Sequence, residues 1–376
     1  MNIDIRCDGN VVVYNDLFGI LHDVILYPNR RSDLNTTGKG GEEIRDVLRQ
    51  KESKEFYNFE SNFFVVKCPK QDKKTSKMLW MKNVEFAFGD LNTSTVQQDD
   101  YKYTIAIRRQ DYANLHNWVR NIYNTFLIMM HFNIQPANIS VIFMDGHPFS
   151  ALDNAWTVIY DKPQRVGRLT QPVNVKNFIL GFEENEGPVS HWENLEVPFL
   201  EEFRSFVLSR FELPSKATLD CERPKITIIF RRNAVYHPRN IEGKVGRKIF
   251  NEADLVNALM KTFPRACVNA VLMETLPMKS QLNIISQTDI LIGMHGAGMS
   301  HSIFLPQHAA ILELFELGFK KSRPWNVCFH SIATWRNISY DSWENFDTSR
   351  AMPHSYTIVP VDVLVNKTQN LLQDIC

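Results

Sequence analysis

The sequence has no excess of charge: 42 Lys and Arg balance 42 Asp and Glu, so the net charge is zero. A chain without a basic surplus has no polyanion-binding footprint, and nucleic acid is not expected as a partner. A single nucleotide-sugar needs only a few local cations, so the balance does not speak against that ligand. No apolar run approaches the roughly 20 residues needed to span a bilayer. The start, Met1 to Cys7, lacks the apolar h-region of a signal peptide. On their own these absences point to the cytosol. The six cysteines contain no Cys-x-x-Cys pair, so zinc and dithiol redox chemistry are not expected. The dinucleotide fingerprint Gly-x-Gly-x-x-Gly is absent: Gly296-Ala297-Gly298 continues as Met299-Ser300-His301. No Asp-x-Asp metal motif stands at a suitable strand exit, and no internal repeat is visible.

What remains is an ordinary globular composition, 44% hydrophobic and 22% charged over 376 residues, long enough for two cores. The even cysteine count permits disulfides. Asn-x-Ser/Thr sequons at Asn35, Asn92, Asn138, Asn337 and Asn366 weakly favour a lumenal chain. Residues 1–100 read as short strands and loops, with a polar, lysine-rich stretch around Lys67–Lys82. From Tyr103 the rhythm sharpens. Tyr103–Ile107 alternates like a strand, Tyr112–His131 has helical spacing, Ile139–Phe143 is β-rich and Leu152–Tyr160 is helical. Leu195–Phe211 again has helical periodicity, and Pro214–Pro224 reads as a linker. A second wound unit follows. Its strands are Lys225–Phe230, Val268–Met273, Asp289–Met294 and Ala309–Leu314. Its helices are Asn251–Thr262, with Asn251 as N-cap, and Pro277–Gln287. Alternation at this pace predicts an α/β fold with parallel sheets and ligands at the carboxyl ends of the strands.

The strongest constellation is the loop His295-Gly296-Ala297-Gly298, with a strand before it and a helix opening after it. Glycines let a backbone approach a phosphate, and a helix start offers N–H donors and a positive dipole end. His295 stands where it can donate to a phosphate or a sugar hydroxyl. Glu313, inside an apolar strand, is costly unless paired or at the strand mouth. It fits a ribose diol or, equally, a buried salt bridge. Arg231 and Arg232 follow a strand directly, and Arg247 lies in the Gly243-Lys244-Val245-Gly246-Arg247-Lys248 run. Guanidinium groups match the planar oxygens of a diphosphate, and one or two of these cations are expected to face the donor. In the first half, Asp145-Gly146-His147 ends a strand and offers a general base, with a plain Asp-Gly turn as the competing reading. His116 opens a helix nearby and is the second candidate.

Residues 288–316 resemble glycosyltransferase family 61. The flanks extend the likeness: Arg231-Arg232, Tyr236-His237-Pro238-Arg239, Gly243-Lys244-Val245 and Asn251-Glu252 are similar to the family's xylose-transferring branch. So are Tyr112-Ala113-Asn114-Leu115, Asp145-Gly146-His147 with Trp156, Gly40-Gly41-Glu42 and Cys7-Asp8-Gly9-Asn10. The resemblance implies two facing Rossmann-like domains of the GT-B type. Residues 1–213 form the acceptor side, 214–224 a linker and 225–345 the nucleotide-sugar domain, while 346–376 pack back on the first domain. It implies inverting transfer of xylose from UDP-xylose to the core β-mannose of a glycoprotein N-glycan, with no metal or other cofactor. Donor binding falls to Arg231, Arg232, Arg247, His295, Gly296, Ala297, Gly298 and Glu313. Asp145 is the expected base or acceptor-positioner, and His116 is expected to contact acceptor or phosphate. The family's Asn-x-Tyr/Phe-His motif is shifted here to Asn114-Leu115-His116-Asn117, with Asn121 where an acid usually falls. Transfer of GlcNAc to a protein hydroxyl, or a catalytically inactive glycan- or nucleotide-binding member, are the alternatives. Members sit in the Golgi or ER lumen, usually on an N-terminal membrane anchor. None is visible in this sequence, so a Golgi-lumenal fragment or an atypical member is expected.

Overall fold

The strands Lys225–Ile229, Ile290–Met294 and Ala310–Phe315 are almost wholly buried. Near-continuous apolar runs of this kind suit inner strands covered on both faces. The computed structural model, which describes residues 2–32, 38–69, 79–87, 96–181, 184–323 and 326–376, places them in a five-stranded, all-parallel sheet. Its spatial order is Cys267–Val271, Lys225–Ile229, Ile290–Met294, Ala310–Phe315, Ser339–Glu344. Numbered by chain order this is 2-1-3-4-5, a doubly wound arrangement whose order reverses between its first and third strands. The carboxyl ends of those two strands lead into Arg231 and His295. Leu255 and Leu259 of the helix Glu252–Thr262 cover one face, together with Leu364 and Leu371 of the helix Val361–Ile375.

The chain forms two units, Met1–His191 with Tyr236–Ile241, and Trp192–Val235 with Glu242–Cys376. Both are α/β, as expected from the alternating pattern. In the first, Val173–Leu180, Tyr103–Ile107, Ile139–Phe143 and Gln164–Arg165 run parallel. An antiparallel flank of Ile3–Arg6, Val11–Tyr14 and Phe18–Leu26 extends the same sheet. The helix Leu115–Phe132 starts on Asn114, whose side chain accepts from the His116 N–H at 2.9 Å, and stops at left-handed Asn133.

Several boundaries differ from the sequence expectation. The helix expected over Leu195–Phe211 spans Leu200–Arg210 and belongs to the second unit. There Arg204 Nε donates to the Phe304 carbonyl at 3.0 Å, so the division falls near residue 192 rather than 213. The last helix packs on the second unit instead of returning to the first, because its apolar face fills the same core as Leu255 and Leu259. Cys376 at its end is bonded to Cys221. A second disulfide joins Cys7 to Cys68. Asn251 precedes its helix without capping it; its amide bonds the backbone of Val359 instead, at 2.8 and 3.0 Å. Asn35, Asn92 and much of the lysine-rich stretch lie outside the described residues.

Candidate active site

At the switch point of the second sheet, the backbone of Gly296 lies against Arg231. A Cβ on Gly296 would meet Arg231 Nη1 at 2.5 Å and Cζ at 3.1 Å, so only glycine lets the guanidinium lie on the loop. Arg231 Nη1 donates to the His295 carbonyl at 3.3 Å. A 3-10 helix, Ala297–Phe304, opens directly after Gly296. The first N–H groups of a helix have no acceptor within it. Ala297 and Gly298 are half-buried, so this end of the loop offers backbone donors beside a guanidinium. His301 holds the loop from behind, its Nδ1 donating to the Gly298 carbonyl at 2.8 Å. Burial pushes its pKa down to about 4, so the ring is neutral.

His295 and Glu313 are turned inward rather than toward a ligand. His295 Nδ1 meets Glu313 Oε1 at 2.5 Å, and Tyr340 donates its hydroxyl to Glu313 Oε2 at 2.6 Å. Both oxygens of the carboxylate are therefore engaged, and Glu313 is not open to a ribose diol. The imidazole packs among Phe315, Phe319 and Phe329, with ring centroids 5.4, 4.4 and 5.2 Å away. His295 is 4% exposed and Glu313 1%. Of the two readings open for Glu313, the buried pair is the one observed. His295 and Glu313 fix the shape of the loop from below.

The cations divide. Arg232 is claimed by Glu252 in a two-pronged ion pair, and its N–H donates to Glu274 Oε1 at 3.2 Å. Arg247 is half-buried and lies over the Phe319 ring at 5.9 Å; Arg323 reaches the same ring at 5.4 Å. Burial, opposed by Glu316, lowers the Arg247 pKa, but a guanidinium remains charged at neutral pH. Two guanidinium groups lie on the Phe319 ring that packs against His295, and a third donates to the His295 carbonyl. Arg323 was not singled out in the sequence, since a lone arginine after a short helix carries no pattern. Tyr340 was missed because its strand is polar and only half-buried.

In the first unit, Asp145 is fully buried. Arg109 grips both its oxygens, Nη2 to Oδ1 at 2.6 Å and Nε to Oδ2 at 3.1 Å. The N–H groups of Arg109 and His147 add bonds at 3.0 and 3.2 Å. Burial alone would raise its pKa; the charges of Arg109 and His147 and the hydrogen bonds from Arg109 outweigh it and hold the carboxyl well below the usual range. A carboxylate so deep and so well paired is a poor proton acceptor, which argues against Asp145 as base. His147 is buried beside it, bonded through Nδ1 to Glu55 Oε2 at 2.5 Å and through Nε2 to the Arg109 carbonyl at 2.9 Å. His116 is half-buried in the first turn of its helix. Asn121 is buried, its amide donating to the Asn117 carbonyl at 3.0 Å.

The family model Glycosyltransferase 61 matches residues 92–312, more than half of the chain. The chain belongs to glycosyltransferase family 61. It is 25% identical over 289 residues to a beta-1,2-xylosyltransferase of Arabidopsis thaliana, covering 66% of this chain and 53% of the relative. A beta-1,2-xylosyltransferase of Oryza sativa subsp. japonica is 24% identical over 296 residues, covering 72% and 52%. The EGF domain-specific O-linked N-acetylglucosamine transferase of Drosophila melanogaster is 34% identical over 145 residues, covering 39% and 24%. The chain thus spans about half the length of the xylosyltransferases it matches. The matched segment of the family 61 chain contains the switch-point loop, Arg231, Arg247, Asp145 and His116, and ends at Leu312, one residue before Glu313.

Proposed function

We propose that this chain transfers xylose, with inversion, from UDP-xylose to the core β-mannose of glycoprotein N-glycans. The observation that carries the donor half is the seat of Arg231 on Gly296 at the switch point of a doubly wound sheet. There a diphosphate finds guanidinium and backbone donors together. Arg231, Arg247 and the N–H groups at Ala297 and Gly298 hold the diphosphate, while His295 and Glu313 support the loop. Arg232 serves through its pair with Glu252. These cations neutralise the leaving group, so the reaction runs without a divalent metal and survives a chelator. Xylose as the sugar is supported by the two xylosyltransferases, whose matches cover the larger share of this chain. With Asp145 locked, His116 is the remaining one of the two expected groups to take the acceptor proton.

A lumenal, Golgi setting is part of the proposal. It is supported by the two disulfides and by the exposure of Asn138, Asn337 and Asn366 in their sequons. No helix among the described residues is long and apolar enough to cross a membrane. Thermal shift against UDP-xylose, UDP-GlcNAc and UDP-glucose tests the donor. Stabilisation by UDP-xylose above the others is expected. Stabilisation by UDP-GlcNAc without a response to UDP-xylose would instead favour the GlcNAc reading, which the Drosophila match supports over a shorter segment. Turnover of UDP-xylose with an N-glycan acceptor separates an enzyme from an inactive binder.

A further inference from the structure

Beneath the Asp145-Gly146-His147 loop, three buried polar atoms have no hydrogen-bond partner among the described residues: Glu55 Oε1, Tyr112 Oη and His237 Nε2. All three residues lie in the first unit. Their exposures are 0%, 4% and 5%. The Glu55 backbone is pinned by the Gly146 N–H at 2.7 Å, and its Oε2 is taken by His147. The Tyr112 ring stacks on His147 at 4.7 Å and meets His237 at 5.1 Å. His237 Nε2 stands 3.9 Å from Glu55 Oε2, too far for a hydrogen bond.

Proton positions follow from the partners. His237 Nδ1 accepts the Arg239 N–H at 3.2 Å, so the ring proton sits on Nε2. Burial first, then the charge of Arg239, lowers the His237 pKa and keeps the ring neutral. Burial, reinforced by the charge of Glu55, raises the Tyr112 pKa and keeps its hydroxyl protonated. Two donors and one acceptor therefore lack partners in one small space. A hydroxyl oxygen offers the complement, two lone pairs and one hydrogen. An unmet buried polar atom is destabilising, so three together make a strong demand for an occupant.

We propose that Glu55, Tyr112 and His237 form a binding site for a single neutral hydroxyl oxygen, which accepts from Tyr112 and His237 and donates to Glu55 Oε1. The oxygen belongs to an acceptor sugar or to an ordered water. The sugar source rests on the glycosyl-transfer reading; the site does not. The segment Tyr236–Ile241, which carries His237, is held by Arg239 on Glu52 and Asp111 and by the Arg49 N–H on the Pro238 carbonyl at 2.8 Å.

Two measurements test the site. The first is a high-resolution crystal structure of the chain, free and soaked with methyl β-D-mannopyranoside. It should show an oxygen at about 3 Å from at least two of the three atoms. The second is the melting temperature of Tyr112→Phe. A hydroxyl bonded in the site makes this variant melt below wild type; a dry, unpartnered hydroxyl makes it melt above. An ordered oxygen with a lowered melting temperature establishes the site. A wild-type thermal shift with the mannoside, lost in Tyr112→Phe and Glu55→Gln while the shift with UDP persists, assigns the oxygen to a sugar. An oxygen already present in the free crystal, with no mannoside shift, assigns it to water. An empty space between the three side chains, or a Tyr112→Phe variant that melts higher, overturns the proposal. Absence of a UDP shift in wild type counts against the glycosyl-transfer reading alone.

Discussion

Replacing Glu313 separates a ligand contact from a support beneath the ligand. In Glu313→Ala both His295 Nδ1 and Tyr340 Oη lose their acceptor in a site that is 1% exposed at Glu313 and 4% at His295. Breaking a buried, hydrogen-bonded pair from one side costs about 3–5 kcal/mol. At roughly 2–4 °C per kcal/mol for a domain of this size, the melting temperature should fall by about 10 °C. Glu313→Gln is different. Its carbonyl oxygen can accept from His295 Nδ1 while its amide donates to a rotated Tyr340 hydroxyl, so both bonds survive and the loss should be about 1 kcal/mol. The assay is thermal unfolding together with UDP affinity by calorimetry. If Glu313 acts only through His295, Glu313→Gln binds UDP within a few-fold of wild type. A direct contact between a carboxylate and a ribose diol is worth about 1.5–3 kcal/mol, and its loss would weaken UDP by roughly tenfold or more. A Glu313→Gln protein that melts like wild type yet loses UDP affinity by that factor would refute the reasoning and return the carboxylate to the ribose. Additive effects of Glu313→Gln and His295→Ala on UDP binding would do the same, since groups acting in series are not additive.

Asp145→Asn should destabilise the chain by about 3–5 kcal/mol, because Arg109 stays buried with Asp153 as its remaining carboxylate, at 3.3 Å. The depressed Asp145 pKa sets the sign: wild type holds its advantage above the unfolded pKa of about 3.9 and loses it as pH falls further, so urea midpoints of the two proteins should converge below that value. A wild-type melting temperature in Asp145→Asn, with turnover abolished, would restore Asp145 as base. Gly296→Ala forces Arg231 off the loop and should weaken UDP by roughly tenfold while circular dichroism stays native; unchanged affinity would place the diphosphate elsewhere. Reduction of the disulfides, which close segments with sequence separations of 61 and 155 residues, should lower stability by about 4 and about 5 kcal/mol respectively on chain-entropy grounds. Equal melting temperatures with and without reductant would contradict both bonds.

Much of the second sheet was legible because its inner strands are continuous apolar runs between helices of clear period. The fifth strand, Ser339–Glu344, was not. It lies at the sheet edge, half-buried, and its Ser-Tyr-Asp-Ser-Trp-Glu sequence has no apolar run to announce it. The unit boundary was misplaced for a related reason. Periodicity finds the helix Leu200–Arg210 but does not say which core takes its buried face, and Phe203 packs on Phe304, far along the chain. The loop at Gly296 was read correctly as a special backbone, since a Gly-x-Gly between a buried strand and a helix is a local pattern. That Arg231 lies against the loop was not legible, because it follows the neighbouring strand.

That last failure points to a rule for carboxylates at strand ends. Local sequence left two readings open for each of Asp145 and Glu313, a ligand-facing group or a structural one. Pairing register favours the second. Ile107 stands opposite Phe143 in a parallel pair, so the residues two places beyond each, Arg109 and Asp145, emerge side by side, and the guanidinium claims the acid. Glu313 stands opposite Gly293 on one side and Ser342 on the other. The Met299 side chain fills the place a side chain at Gly293 would take, its Sδ 2.6 Å from where a Cβ would stand. His295 arrives two places along that strand, and Tyr340 lies two places before Ser342 on the other, which brings both within reach of the carboxylate. In each case the partner is set by the strand alongside, at a distance in sequence that no motif spans. A carboxylate in a wound sheet is free to act only when neither adjacent strand delivers a donor at its own level. Neither Asp145 nor Glu313 meets that condition: each is held by a donor that the strand alongside delivers.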